Sequence, residues 1–119
     1  MKKILSLFLT LALAVIMVIS VVVVKEYNNL KNDFSQEVKE TENLIRSANW
    51  SSALDSLNTT QATWKKLRPL MQINIDHDYV NDIENNFTLL QGYLETKEQS
   101  SSLATILLIQ EFWRSIGEM

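Results

Sequence analysis

The side chains with the greatest capacity for chemistry lie around the single histidine of the chain. His77 stands between Asp76 and Asp78, and Asp82 and Glu84 follow within two helical turns. An imidazole among carboxylates could bind a divalent cation or titrate near neutral pH, so a ligand-, metal- or pH-responsive sensor module centred on His77 is one hypothesis. The spacing matches no defined zinc or calcium motif, whereas Asp76 or Asp78 suits the N-cap of a helix. The sequence favours capping and predicts no metal site; Asp76, His77 and Asp78 are the residues that would form one.

Other catalytic chemistry has little support in the residues. The chain has no cysteine, one histidine and two glycines, which excludes disulfides, thiolate chemistry and a glycine-rich phosphate loop. A serine nucleophile would need His77 as its base, and the prominent serines fall where helices are expected to begin. We therefore expect no enzymatic activity and no cofactor.

Two tryptophans offer a second binding possibility. Trp50 and Trp64 are 14 residues apart, about four helical turns, so they share one helix face. They could line an aromatic cleft for a glycan or a quaternary ammonium ligand. Because a stripe at this spacing is more typical of packing between helices, the sequence favours a core role.

One apolar run near the amino terminus determines where these residues are displayed. Residues 4–24 read ILSLFLTLALAVIMVISVVVV. About 20 residues of helix rise about 30 Å, the thickness of a hydrocarbon core. A cleaved signal peptide is the alternative, but its apolar region is usually shorter and ends in small residues, whereas four valines follow Ser20 here. We predict that residues 1–25 form a signal-anchor transmembrane helix.

Charge predicts the orientation of that helix. Lys2 and Lys3 precede the run and should stay in the cytoplasm, while Lys25 and Lys31 beyond it are accompanied by acidic residues. We predict a single-pass protein of the cytoplasmic membrane, with residues 26–119 as an extracytoplasmic helical bundle. Beyond Lys3 the chain has 14 acidic and nine basic side chains, which argues against nucleic acid and against polybasic lipid binding.

Helical periodicity extends through the rest of the chain. Apolar residues recur at spacings of three and four in four segments, and the first of these continues the membrane helix as a stalk. Pro69 predicts a kink or break near residues 65–68. Residues 47–53 and 97–104 look like equivalent turns, about fifty residues apart, each with an alanine that lets the next helix pack closely. The fold class is all-α, an up-down bundle of two helical hairpins. The stripes are Tyr27, Leu30, Phe34, Val38, Thr41, Leu44 and Ile45; Trp50, Ala53, Leu54, Leu57, Trp64, Leu67, Leu70 and Met71; Val80, Ile83, Phe87, Leu90 and Leu94; and Leu103 to Ile116.

Two smaller predictions concern the second hairpin. Gly92 lies inside a helical pattern, which indicates close approach of a neighbouring backbone. Ser100, Ser101 and Ser102 follow a polar stretch and are expected to cap the last helix.

The last helix has an apolar face wider than one helical neighbour requires. Its partner-binding candidates are Ile109, Phe112, Trp113 and Ile116. The face could be buried by two helices of the bundle, or it could bind another subunit or a membrane protein. Two modes of self-association remain open. One uses this face of the last helix, and the other pairs two stalks along Tyr27, Leu30, Phe34 and Val38.

At these residues the chain resembles an uncharacterised domain-of-unknown-function family of small Firmicute proteins with an N-terminal membrane helix. The similarity covers the chain from about Glu37 to its end, although Gly117-Glu118-Met119 replaces the charged, proline-containing tail of the family. It implies an anchored, extracytoplasmic helical domain of bacterial origin and no established activity. The matching residues are Asn49-Trp50-x-x-Ala53-Leu54, Trp64-Lys65-Lys66, Ile75-Asp76-His77, Ile83, Leu90, Tyr93, Lys97 and the helix that contains Ala104.

The leading hypothesis is a single-pass anchor that presents a helical structural or protein-interaction module outside the membrane. The His77-centred sensor is the alternative.

Overall fold

Four α-helices form the described part of the chain. The computed structural model describes residues 1–71 and 77–117, with α1 at Lys2–Arg46, α2 at Trp50–Met71, α3 at His77–Glu95 and α4 at Gln99–Gly117. Each helix packs against its neighbour along the chain, and α4 also packs against α1. The helices thus form an antiparallel square, which confirms the all-α prediction.

The helix α1 has two halves with different surroundings. Its amino-terminal half contains an 18-residue window of mean hydropathy 3.1 with none of its residues buried, so it is long and apolar enough to cross a membrane. Its carboxyl-terminal half lies in the bundle, where Leu30, Phe34, Val38 and Ile45 are buried. A helix of 45 residues is about 67 Å long, close to the 70 Å longest dimension of the structure. The two halves are therefore one straight rod.

The stalk predicted from the sequence is one wall of the bundle. Leu30, Phe34 and Val38 are at most 8% exposed because α2 and α4 cover them. These three residues cannot pair two stalks unless the bundle opens. Tyr27, the fourth residue of the predicted stalk-pairing face, is partly buried.

Both hairpins are closed by the same turn. Ala48 and Lys97 adopt left-handed backbone angles, with φ of 56° and 58°. In the first turn the amide of Asn49 donates to the carbonyl of Leu44 at 2.9 Å, and 49 residues later the amide of Glu98 donates to that of Tyr93 at 2.9 Å. This is the Schellman arrangement, which satisfies the last carbonyls of a helix. The predicted equivalence of the two turns is confirmed.

The same offset of 49 residues extends into the helices. Ala53 and Ser102 occupy equivalent positions, and both are fully buried. They are the small side chains that let each second helix pack closely against the first. Ala104, which the sequence assigned to this role, is exposed. Trp64 and Trp113 are likewise equivalent.

Several local predictions were wrong for physical reasons. Helix α2 continues through residues 65–68 and ends two residues after Pro69, so the break predicted there does not occur. Pro69 lies in the last turn of α2, so its missing amide removes one helical hydrogen bond and interrupts no further turn. Ser100 to Ser102 lie within α4, which begins at Gln99. Asp78 lies in the first turn of α3 and is not its N-cap, and Asp76 falls outside the described residues.

Gly92 also differs from its prediction. A Cβ atom built on it would meet nothing within 4 Å. The residue faces solvent, so no neighbouring backbone requires glycine there.

Candidate functional site

The predicted partner-binding face of α4 points into the bundle. Ile109 and Ile116 are 0% and 7% exposed, and Phe112 and Trp113 are partly buried against the same core. The ring of Phe112 lies 6.4 Å from that of Tyr79 on α3. The face is wide because α4 packs against both α3 and α1, which is one of the two alternatives left open by the sequence.

An aromatic layer crosses the bundle at this level, and each helix contributes one ring to it. We define the layer as Phe34, Trp64, Phe87 and Trp113. Phe34 is fully buried, and its ring centroid lies 4.7 Å from Trp113, 5.4 Å from Trp64 and 6.3 Å from Phe87. Edge-on and tilted contacts at these distances favour one arrangement of the rings beyond simple area burial. The layer therefore joins the two hairpins.

Both tryptophans of the layer donate hydrogen bonds to the other hairpin. Trp64 Nε1 donates to Glu84 Oε2 at 3.3 Å, and Trp113 Nε1 donates to Ser35 Oγ at 2.9 Å. Glu84 also forms an ion pair with Arg68 at 3.2 Å. The donors Trp64 and Trp113 are 49 residues apart, and so are the acceptors Ser35 and Glu84. Trp64 is only 2% exposed, so the core role predicted for it is confirmed, and it does not line an open cleft with Trp50.

A second polar contact between the hairpins is centred on Glu42, which is 4% exposed. Its carboxylate accepts hydrogen bonds from Gln110 at 2.8 Å, Arg46 at 2.8 Å and Lys39 at 3.3 Å. These donors, Gln110 first, lower the pKa of Glu42 from 4.5 to about 2 against the opposing effect of burial. A carboxylate with three donors remains charged inside the bundle. Sequence reasoning missed Glu42, because helical periodicity does not reveal which polar residue will meet a donor from α4.

The interface between α1 and α2 contains hydroxyl groups and another carboxylate. Thr41 Oγ1 lies 2.7 Å from Ser56 Oγ, and Thr63 Oγ1 donates to Glu37 Oε1 at 3.0 Å. Burial raises the pKa of Glu37, the Thr63 bond opposes that rise, and the charge of Asp33 adds to it. An open groove of about 380 Å³ lies beside these residues. Its carboxylates come from Glu37, Glu40 and Asp55.

Among the residues that the structure describes, none joins His77 in a metal centre. His77 is the exposed first residue of α3, Asp78 is exposed beside it, and Asp76 lies outside the described residues. Within residues 1–71 and 77–117, no group of three or more histidine, aspartate or glutamate side chains is placed to hold a metal ion. The sensor hypothesis therefore gains no geometric support.

Comparison with known proteins gives a family but no activity. A family model described as a domain of unknown function (DUF4363) matches residues 21–119. The chain belongs to this family. No curated protein and no solved structure matches it. The DUF4363 match begins inside the apolar run, so the carboxyl-terminal end of that run belongs to the family pattern together with the bundle.

The surface of the DUF4363 domain keeps a few large apolar side chains exposed. After the apolar run, those in the described part of the chain are Leu70, Leu89, Leu107 and Leu108, at 38% to 50% exposure. Leu107 and Leu108 lie on the exposed side of α4, whereas their neighbours Ile106 and Ile109 are buried. An interaction surface on α4 would therefore use residues adjacent to those that the sequence predicted.

Proposed function

We propose that this DUF4363 protein is a single-pass membrane anchor that presents its helical bundle, on the outer side of the cytoplasmic membrane, as a structural or protein-interaction module. The observation that carries the proposal is the continuity of α1. One helix supplies both an unburied apolar half and a wall of the bundle core. The anchored Firmicute domain that the sequence resembles is consistent with this function.

The exposed apolar half needs an apolar environment. It leaves large side chains such as Leu7, Phe8 and Met17 more than 65% exposed. Water would penalise that much apolar surface, at about 25 cal/mol per Å², whereas a bilayer would not. Thr10 and Ser20 hydroxyls donate to carbonyls four residues earlier at 2.8 Å, so their polar groups are satisfied within the helix. Cleavage near Ser20, which would release the bundle, is the competing fate.

Single cysteines can test the proposed topology, because the chain has none of its own. In intact protoplasts, a membrane-impermeant maleimide should label Ser51→Cys, which lies at the start of α2, and should spare Lys3→Cys until the membrane is lysed. The protein should remain in the membrane pellet after carbonate extraction. Reversed labelling, or a purified protein whose mass shows that it starts near Val21, would overturn the proposal.

The proposed partner-binding surface, which is the exposed face of α4 around Leu107 and Leu108, can be tested by replacing these leucines with lysine. Leu107→Lys with Leu108→Lys should abolish the capture of protein partners by crosslinking in intact membranes while the helical circular dichroism spectrum is unchanged. Thr88→Lys with Gln91→Lys is the matched control, since these exposed α3 residues add the same charge to a polar face. If both double variants capture the same partners as the parent, the outer face of α4 is not the interaction surface.

A further inference from the structure

The outer grooves of the two hairpins are equivalent in position but opposite in character. The groove of about 380 Å³ between α1 and α2 contains three carboxylates. The offset of 49 residues places an equivalent groove between α3 and α4, where Asn86, Leu89 and Ala104 stand at the positions of those carboxylates. Leu108 stands at the position of Thr59, which also lines the first groove. The second hairpin therefore has an apolar groove where the first has an acidic one.

The surface around the second groove carries no charge. Residues 85–94 and 99–110 contain no charged side chain, whereas the equivalent residues 36–45 and 50–61 contain five. Depletion of charge together with exposed apolar side chains is the composition of the centre of a protein interface. The exposed side chains that we call the leucine patch are Leu89, Leu107 and Leu108, at 41% to 50% exposure.

The leucine patch lies at one level of the bundle. In the first hairpin, Thr41 Oγ1 lies 2.7 Å from Ser56 Oγ, so these two residues are level. Their equivalents in the second hairpin are Leu90 and Thr105. Leu89 is therefore within two residues of the level of both leucines on α4, which is about 3 Å along the helix axis. The three side chains form one continuous surface.

The continuous helix α1 fixes the height of this surface. Thr63 on α2 donates to Glu37 on α1. The next residue, Trp64, donates to Glu84 on α3, so Glu84 is about level with Glu37. Leu89, five residues further along α3, then lies about 25 Å beyond the end of the apolar run. If α1 is inserted as proposed above, on which this inference rests, the leucine patch is well above the lipid headgroups, and every copy of the chain holds it at the same height.

This geometry suits a second copy of the chain. Two copies in one bilayer run in the same direction, so a symmetric pair has its two-fold axis along the membrane normal. That axis places α3 of one copy opposite α4 of the other, and Leu89 of each copy faces the two α4 leucines of the other at the same level. A symmetric pair also brings like charges together, which is unfavourable. The acidic groove of the first hairpin would repel its own copy, whereas the uncharged groove would not.

The size of the uncharged surface suits molecules that share a membrane. It is about 18 Å long and two helix diameters wide, or about 400 Å². Each partner in a stable complex of soluble proteins buries about 800 Å². Anchored copies need less contact, because the membrane already holds them close together in the correct orientation.

We propose that the outer face of the second hairpin, centred on the leucine patch, binds the same face of a second copy anchored in the same membrane. The interaction module proposed above then has another copy of the chain as its partner. Because α1 and α2 form the opposite side of the bundle, the pair turns both acidic grooves outward.

The first test uses single cysteines in the full chain in its native membrane. Ala104 is exposed in the uncharged groove, close to the proposed axis, so a short bismaleimide should join two copies of Ala104→Cys. Asp55→Cys is the matched control, since Asp55 is the equivalent exposed residue of the first hairpin, and it should give at least tenfold less dimer. No dimer, equal dimer from the two variants, or a product of Ala104→Cys with the mass of another protein would overturn the second copy as the occupant.

The second test measures pairing without a crosslinker, in membranes that contain full chains with two different affinity tags. One tag should capture the other, and Leu107→Lys with Leu108→Lys should reduce that capture at least tenfold. Asn58→Lys with Thr59→Lys, at the equivalent exposed positions of the first hairpin, should leave it unchanged. A chain that carbonate extracts from the membrane refutes anchoring and pairing together. An anchored chain that captures no second copy, or whose leucine variant still captures one, refutes pairing alone.

Discussion

Replacing Phe34 with alanine should remove a large part of the stability of the bundle. Phe34 is fully buried and contacts all three other rings of the aromatic layer. Truncation of a buried phenylalanine costs about 3 to 5 kcal/mol. Three ring neighbours place this site in the upper part of that range, because each aromatic pair contributes about 0.5 to 1.5 kcal/mol beyond burial.

The stability expected to be lost in Phe34→Ala is large compared with the total free energy of unfolding of the bundle. A domain of this size has a free energy of unfolding of about 5 to 13 kcal/mol. For a domain of 60 to 100 residues, each kcal/mol shifts the melting temperature by about 4 to 8 °C, so Phe34→Ala should lower it by about 15 to 40 °C. Guanidinium unfolding in nonionic micelles, followed by tryptophan fluorescence and circular dichroism, measures the free energy directly. Trp64 and Trp113 report on the layer itself.

A matched control lies on the same helix. Phe8 is 66% exposed within the apolar run. It contacts detergent whether or not the bundle is folded, so Phe8→Ala should leave bundle unfolding unchanged. If Phe34→Ala costs only about 1 kcal/mol, which is typical of an arbitrary substitution, the aromatic layer does not hold the hairpins together.

Two further predictions follow from Glu42 and Gly92. The lowered pKa of Glu42 means that its carboxylate stabilises the fold above pH 4.5 and loses that effect as pH falls toward about 2. The free energy of unfolding of the parent should fall by on the order of 3 kcal/mol over this range. That of Glu42→Gln should fall much less, because its amide does not titrate. Parallel pH profiles of unfolding for parent and variant would contradict the role of Glu42. Gly92→Ala should stabilise the bundle by about 0.5 to 1 kcal/mol, because Gly92 lies in an exposed helix with open space around it. A lower melting temperature for Gly92→Ala would show a close contact there after all.

The sequence predicted the helices and their inward faces well, because apolar spacing alone determines which side of a helix avoids water. All five apolar residues of the α3 stripe, from Val80 to Leu94, are buried as predicted. The equivalence of the two turns was also visible, since each combines a polar connection with a small residue in the helix that returns.

Features that depend on pairing between distant helices could not be predicted in this way. Whether the α4 face was internal depended on how α4 meets α1, and no local pattern contains that information. Ile109 and Ile116 were candidates either for partner binding or for the core, and they fill the core. The sequence analysis gave Glu42 no role, yet its carboxylate is buried and accepts a hydrogen bond from Gln110, 68 residues away. Gly92 was misjudged because an exposed helical glycine and one in a close contact look identical in a sequence.

The shared offset of 49 residues has a consequence for the symmetry of the fold. Turns, small residues, tryptophans and their hydrogen-bond acceptors all repeat at that interval. Because each tryptophan bonds the equivalent of the other tryptophan's acceptor, the two hairpins are related by an approximate two-fold axis that exchanges them. The two halves of the core are therefore built from the same contacts made twice. Glu42, whose equivalent position is Gln91, marks a place where the two hairpins differ.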